Sequence, residues 1–558
     1  MATLMSMTRK HLNKQNDLTL FLVSIFLALT YHLNQIFDVI IRKKKILIDY
    51  QLPTDDTSYY LKRISYYFSN NFEGNPYLLS PSKTPHTYFF GEFIVSRIMK
   101  LISSDISITI LLTNIIFTII IFTITSSILY NFNQSRRITI FILVLIYFIQ
   151  NQNALIRPVS PLIHLTLFVC YIYIEIIKTS SKKNSILKFV ILILLSFSYP
   201  YFFLLSTIYF TFVTIYTCMK SSKKVKNNLD IYLSIILVCI FIYKTILSGA
   251  NNPEYLRMLG QTQLRWPTGI PLIIIISISL SMLLWAKKKL IDSNLLISKL
   301  IILNMSLVLI LISPVFTRKE LEFSGHYGFI THLIFFLTLN LTCIKIFHRM
   351  LLGNLIRYIS ISMCLVIVLI ANQNRMSQAI RPDIADDRRN LLIALKSINK
   401  NTNDIAVTNQ ENAEWVSLYS DYKLLWIREA NLYPMKQEEI FERYFLNEYL
   451  LGNSLQLAPR DNRSVFGVKY IDQCLRIQMR NRFLVGKLSR FQLSCAEKYP
   501  DLKKQLLTIS NVEINPSKLV KKYRITILVI PAKHEYDVNL YSELYKNDNY
   551  KILAWKAM

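Results

Sequence analysis

The chain has 558 residues, 52% of them hydrophobic, and a mean hydropathy of +0.32. That is more apolar surface than one water-soluble core can bury, which excludes an ordinary soluble enzyme. The formal charge is +29, yet the Lys and Arg recur in short gaps between apolar runs, a pattern that membrane topology explains and that argues against nucleic acid as a partner.

The chain opens with Arg9, Lys10 and Lys14 and runs into LTLFLVSIFLALTYHLNQIF without a small-residue cleavage site, which predicts a retained first span. Apolar runs near residues 18 to 40, 105 to 130, 138 to 150, 158 to 177, 186 to 199, 201 to 218, 229 to 248, 270 to 286, 295 to 314, 328 to 347 and 355 to 372 predict about eleven transmembrane helices. Their Ile, Thr and Phe suit strands in water, but in lipid each backbone amide must be satisfied within its own segment, which enforces helix. The Tyr199-Pro200 break reads as a boundary between two segments, with one kinked span or a re-entrant hairpin as the alternatives.

Basic gaps at Arg136 and Arg137, Lys182 and Lys183, Lys220 to Lys226, Lys287 to Lys289, and Lys345 with Arg349 then share the cytoplasmic face with the N-terminus. Arg42 to Lys45 falls on the opposite face, where basic side chains neutralise lipid phosphates or are simply solvated. The expected fold is therefore an α-helical polytopic membrane protein with a C-terminal extracytoplasmic α/β domain. Residues 1 to 372 form the transmembrane domain, including an outer loop from 42 to 104, and residues 373 to 558 form the outer domain.

In that outer domain DIAVTN, YKLLWI, YRITILVI and YKILAW read as strands, and the segments Glu438 to Tyr449 and Leu475 to Leu507 as helices. Trp415, Tyr419, Tyr422 and Trp426 are read as core rather than as a carbohydrate platform. Cys474 and Cys495 would face an oxidising compartment and are a candidate disulfide.

The most informative run is IDYQLPTDDTSYYLKRISYYFSNNF. Asp55 and Asp56 precede a stretch in which Leu61, Ile64, Phe68 and Phe72 share one helical face, with Lys62, Arg63 and Asn70 elsewhere, as in an amphipathic helix lying on a membrane. A carboxylate at its start serves either as an ordinary N-cap or as a group that deprotonates an acceptor or holds a divalent cation.

An acidic pair followed by aromatics and an amphipathic helix in a first outer loop, with SKTPHTYFFGEFIVSRIMKLIS leading into the second span, resembles the C-type (GT-C-like) multi-pass membrane glycosyltransferases. The resemblance implies transfer of a sugar from a polyprenyl-phosphate donor to a glycan, lipid or protein acceptor on the outer face of the membrane. It implies a catalytic role for Asp55 or Asp56, and places Lys83 and His86 near the donor phosphate. His86 stands where the family pattern has proline, and the next outer gap, QNQNALIRP, has no acidic residue, so a divalent cation (Mg or Mn) is left open.

At the other outer ends, Arg157, Arg257, Arg265, Arg318 and His326 are candidates for donor phosphate and sugar binding, because a guanidinium fork matches phosphate oxygens; snorkelling to headgroups is the competing role. His326 has no second ligand at metal-binding spacing, and no phosphate-binding glycine loop or nucleophile elbow is present. The rival functions are a polysaccharide polymerase or ligase relying on outer arginines, and a transporter or lipid flippase. The expected location is a prokaryotic inner membrane with a cytoplasmic N-terminus.

Overall fold

The structure, a computed structural model, describes residues 18–49, 57–71, 73–79, 89–133, 136–153, 160–177, 181–220, 228–242, 262–263, 295–317, 319–320, 333–334, 338, 382–398, 404–433, 435–453, 516–536 and 539–556. Within them the protein is mostly helical, with a small sheet near the C-terminus.

Helix α1 (Leu18–Tyr31) meets α2 (Leu33–Ile41) at a 62° bend. His32 sits at the break, buried, with one ring nitrogen 3.1 Å from Gln35 Oε1 and the other 2.9 Å from Thr118 Oγ1. Leu18, Leu22, Phe26 and Leu29 are exposed along one stripe, while Leu20, Leu27, Ala28 and Tyr31 are buried. An uncovered apolar stripe of that length is what a hydrocarbon-facing helix presents.

The bundle continues with α5 (Ile106–Asn133), α6 (Arg136–Asn153), α7 (Ser160–Ile177), α8 (Lys182–Ser198), α9 (Pro200–Lys220), α10 (Asn228–Ile242) and α11 (Leu295–Thr317). Its many Thr and Ser fit helices because their hydroxyls return to carbonyls one turn back, as Thr113 does to Thr109, Thr166 to Leu162 and Ser306 to Ile302. Each of these three hydroxyl hydrogens is thereby satisfied within its own helix. Tyr199 is extended and Pro200 opens the next helix, so α8 and α9 are separate helices packed on each other.

The expected span count is corrected. Two described helices, Ile106–Asn131 and Tyr201–Met219, are long and apolar enough to cross a membrane, or three with the bent α1–α2 pair. The apolar stretches Leu162–Ile177, Leu229–Ile240 and Ser298–Ile310 are shorter, and α8 spends length on Lys182, Lys183 and Lys188. About eleven spans are therefore not supported, because runs counted by apolar composition are shortened by charges and polar ends. The runs at 270 to 286 and 355 to 372 lie outside the described residues.

The C-terminal unit contains α12 (Pro382–Ile398), β3 (Ile405–Thr408), α13 (Gln410–Tyr419), β4 (Lys423–Leu424), α14 (Gln437–Leu450), α15 (Pro516–Tyr523), β5 (Ile525–Pro531), β6 (Tyr541–Lys546) and β7 (Tyr550–Trp555). Strand order is β4-β3-β5-β7-β6, with β3 parallel to β4 and β5, and β7 antiparallel to β5 and β6. Period-two alternation divides the sheet. Ala406, Ile527, Val529 and Ile552 pack with α12 and α13, whereas Val407, Leu528, Ile530 and Leu553 pack with α14 and α15. All four sequence-predicted strands are present; β6 is additional. Trp415, Tyr422 and Trp426 are buried in this core, and the Cys474, Cys495 and 475 to 507 expectations lie outside the described residues.

The first loop packs into this unit. Leu78 bridges Leu424 in parallel, extending the sheet edge, and Leu424 N–H donates to Tyr77 O at 2.9 Å. Buried Arg388 donates to Leu47 O at 3.3 Å and pairs with Glu411 at 2.5 Å, and buried Arg443 donates to Leu79 O at 2.7 Å. Helix α3 (Thr57–Phe68) consequently lies between α4 (Phe90–Ile102) and α13. The side chains off its apolar face are thereby engaged as well: Lys62 donates to Ser417 O, and Arg63 is buried.

Candidate functional site

Tyr59, Arg63 and Tyr67 recur every fourth residue and share one face of α3. The Arg63 guanidinium donates to Tyr59 Oη at 2.6 Å and to Tyr67 Oη at 3.0 Å, and pairs with Glu92 of α4 at 3.1 Å. Both charged side chains are almost fully buried, at 6% and 2% exposure. Such a pair persists only where its remaining hydrogen-bonding capacity is filled, and the phenols fill it. Tyr433, which follows the 3-10 turn Arg428–Leu432, closes the cluster at ring distances of 6.0 Å from Tyr59 and 6.3 Å from Tyr77. Tyr77 in turn donates to Ser58 O at 3.2 Å.

Burial raises the Tyr59 hydroxyl above its usual range, with Arg63 opposing and Glu92 adding; burial likewise raises Tyr77 and Tyr433. These phenols are neutral donors at neutral pH. Burial lowers the Arg63 pKa, but Glu92 and the phenols outweigh it, so the guanidinium stays charged. The site thus has a fixed cation and fixed dipoles but no free acid or base among these groups.

His164 of α7 lies within the electrostatic reach of Arg63 and stacks on Tyr199 at 5.1 Å. Neither of its ring nitrogens has a hydrogen-bond partner among the described residues, although it is buried. Ile163 belongs to the apolar cluster of the loop and C-terminal unit, whereas Leu162 and Leu165 belong to the bundle. His164 therefore stands at the seam between the two cores.

At the edge of the site, Lys62 donates to Ser417 O and Lys423 donates to Pro76 O at 3.1 Å, two reciprocal ties between loop and C-terminal unit. Burial, with the Lys423 charge adding and Asp421 opposing, pushes Lys62 down to about 7, and burial pushes Lys423 down to about 8. The unfolded chain binds more protons than the folded one from about these values up to the ordinary Lys range, so the two groups make stability rise with pH across that window. Thermal unfolding at pH 7 and at pH 9.5 is expected to show a smaller gain with pH in Lys62→Met than in the parent.

Asp55 and Asp56 lie outside the described residues, and in the chain they directly precede Thr57, the first residue of α3. Lys83, His86, Arg157, Arg257, Arg265, Arg318 and His326 also lie outside them. Two of the segments they mark do meet: β1 (Thr262–Gln263) pairs with β2 (Lys319–Glu320), joining the gap that carries Arg265 to the one that carries Arg318. Among the described residues, no three His, Cys, Asp or Glu side chains gather to hold a metal.

Sequence reasoning passed over Glu92, His164 and the burial of Arg63. The available signal was a charge or imidazole at a helical position whose neighbours are apolar. It also passed over a second buried cluster in the bundle, where Glu175 of α7 pairs with Lys188 of α8 at 2.7 Å and Lys299 of α11 at 3.0 Å. A scan against protein-family models finds no match for this chain, and a search of curated proteins finds no significant relative.

Proposed function

We propose that this chain is a polytopic membrane glycosyltransferase that moves a sugar from a polyprenyl-phosphate donor to an acceptor at the outer face of a prokaryotic inner membrane. The first loop and the C-terminal α/β unit share that face, and the N-terminus lies in the cytoplasm. The observation that carries the reading is the buried Arg63–Glu92 cluster, which fixes the start of α3 immediately after Asp55 and Asp56, at the seam with the helix bundle. One of the two carboxylates takes the proton of the acceptor hydroxyl as its oxygen bonds to the anomeric carbon, and the bond to the carrier phosphate breaks with inversion. Lys83 and His86, with the outer arginines, stabilise the departing phosphate.

Asp55→Asn and Asp56→Asn test this separately. Lipid-extract mass spectrometry of cells expressing each variant at parental membrane level should show carrier-linked sugar accumulating in one of them, with transfer down by about 10²- to 10⁴-fold, the usual contribution of a positioned base. Parental transfer in both variants removes the proposed base.

The β1–β2 pairing favours a second reading, a polysaccharide polymerase or ligase working through Arg265 and Arg318. Loss of product in Arg265→Gln and Arg318→Gln, with tolerance at Asp55 and Asp56, would select it. The buried Glu175 cluster favours a third, a transporter or lipid flippase, which substrate flux in vesicles without a covalent product would select.

A further inference from the structure

We propose that Arg97 and Lys100, at the carboxyl end of α4, hold the phosphate of an anionic phospholipid. α4 ends at Ile102, and α5, which contains the longest span-competent stretch among the described residues, begins at Ile106. Leu101 is 85% exposed and Ile102 49%. Bare apolar side chains at the mouth of an apolar helix mark the depth at which headgroups give way to hydrocarbon.

Within one turn of that mark, Arg97 Nη1 and Lys100 Nζ both donate to a single atom, Oδ1 of Asn70, at 3.2 and 2.9 Å. Asn70 follows α3 in the left-handed region, φ 62°, with its N–H on Tyr67 O at 3.0 Å, a conformation that Asn tolerates better than most residues. The rings of Phe93 and Phe68 lie 4.7 and 5.5 Å from the two cations. Neither cation pairs with a carboxylate among the described residues. Two like charges converge on one neutral oxygen, and most of their N–H donors find no acceptor among the described residues, an arrangement that an anion completes.

Lys43 stands on the adjoining segment, which Ile46 N–H ties to Ser107 Oγ at 3.2 Å, and exposed Ile40 and Ile41 extend the apolar rim. The depth set by Leu101 and Ile102 selects a headgroup phosphate over a soluble one. The pair also lies about 10 to 15 Å along α4 from its first residue, Phe90, by the helical rise. The site does not depend on the transferase reading.

Full-length protein in detergent is incubated with equal palmitoyl-oleoyl phosphatidylglycerol and palmitoyl-oleoyl phosphatidylcholine, and retained lipid is measured by native mass spectrometry. Phosphatidylglycerol should be retained in preference. The Arg97→Gln/Lys100→Gln double variant should lower its retention about 30-fold, the loss expected for two basic groups at a membrane surface. Asn70→Gly, which tolerates the left-handed turn and keeps both charges but removes the shared acceptor, should lower it about three-fold. Equal retention of the two lipids, or parental phosphatidylglycerol retention in both the double variant and Asn70→Gly, overturns the proposal. Displacement of the lipid by equimolar inorganic phosphate overturns it in favour of a free-phosphate site.

Discussion

Glu175→Gln is expected to destabilise the helix bundle by about 3–5 kcal/mol, the cost of removing one partner from a buried ion pair. Glu175 is 3% exposed, and the side chains of Lys188 and Lys299 are each 9% exposed. The carboxylate divides its oxygens between them, and Lys299 also donates to the Glu175 backbone carbonyl in the last turn of α7, where the helix dipole favours a cation. Glutamine keeps the shape and removes the charge, so two ammonium groups remain in a low-dielectric interior with no counter-charge. Thermal unfolding in detergent reads the effect. The triple variant Glu175→Leu/Lys188→Met/Lys299→Met should recover most of the loss, because replacing a whole buried ionic group by apolar residues is often neutral or better. Unfolding of Glu175→Gln at the parental temperature would show that the lysines find other partners or deprotonate without cost.

Legibility in the sequence tracked the range over which each feature is encoded. Strands β3, β5 and β7 were readable because Ile, Val and Leu run together there between turn residues and are buried on both faces. β6 was not, since YSELYK is an edge strand that exposes its charges, and its pairing with β7 is set by the partner. The mostly helical character of the chain and a small sheet near its C-terminus were legible from composition and strand patterning. The docking of the first loop was not: Arg388 reaches Leu47 across 341 residues, and no local pattern encodes that contact. Among the described residues, hydropathy credited more segments as spans than are long and apolar enough, for a related reason. It credits a segment for its own composition, whereas Lys188 and Lys299 are tolerated in the bundle because a third helix supplies Glu175.

The same long-range logic governs Arg63, which helical periodicity placed off the apolar face and which Glu92, from a different helix, allows to be buried. Arg63→Met should therefore cost about 3–5 kcal/mol, since it leaves Glu92 buried without its cation and Tyr59 and Tyr67 without a donor. Arg63→Lys should recover only part, because one ammonium cannot match a planar fork that serves two phenols and a carboxylate at once. Stability and transfer are separated by Arg63→Met/Glu92→Leu, in which no buried charge is left over. That variant is expected to unfold near the parental temperature while sugar transfer, read as accumulation of carrier-linked sugar, falls at least 10-fold, because a shift of about 1 Å in catalytic geometry costs on the order of 10²-fold. A double variant that regains both stability and transfer would reduce the cluster to a structural clasp and detach it from Asp55 and Asp56. A stable but inactive one would tie the placement of the acidic pair to the ion pair beneath the helix that follows it.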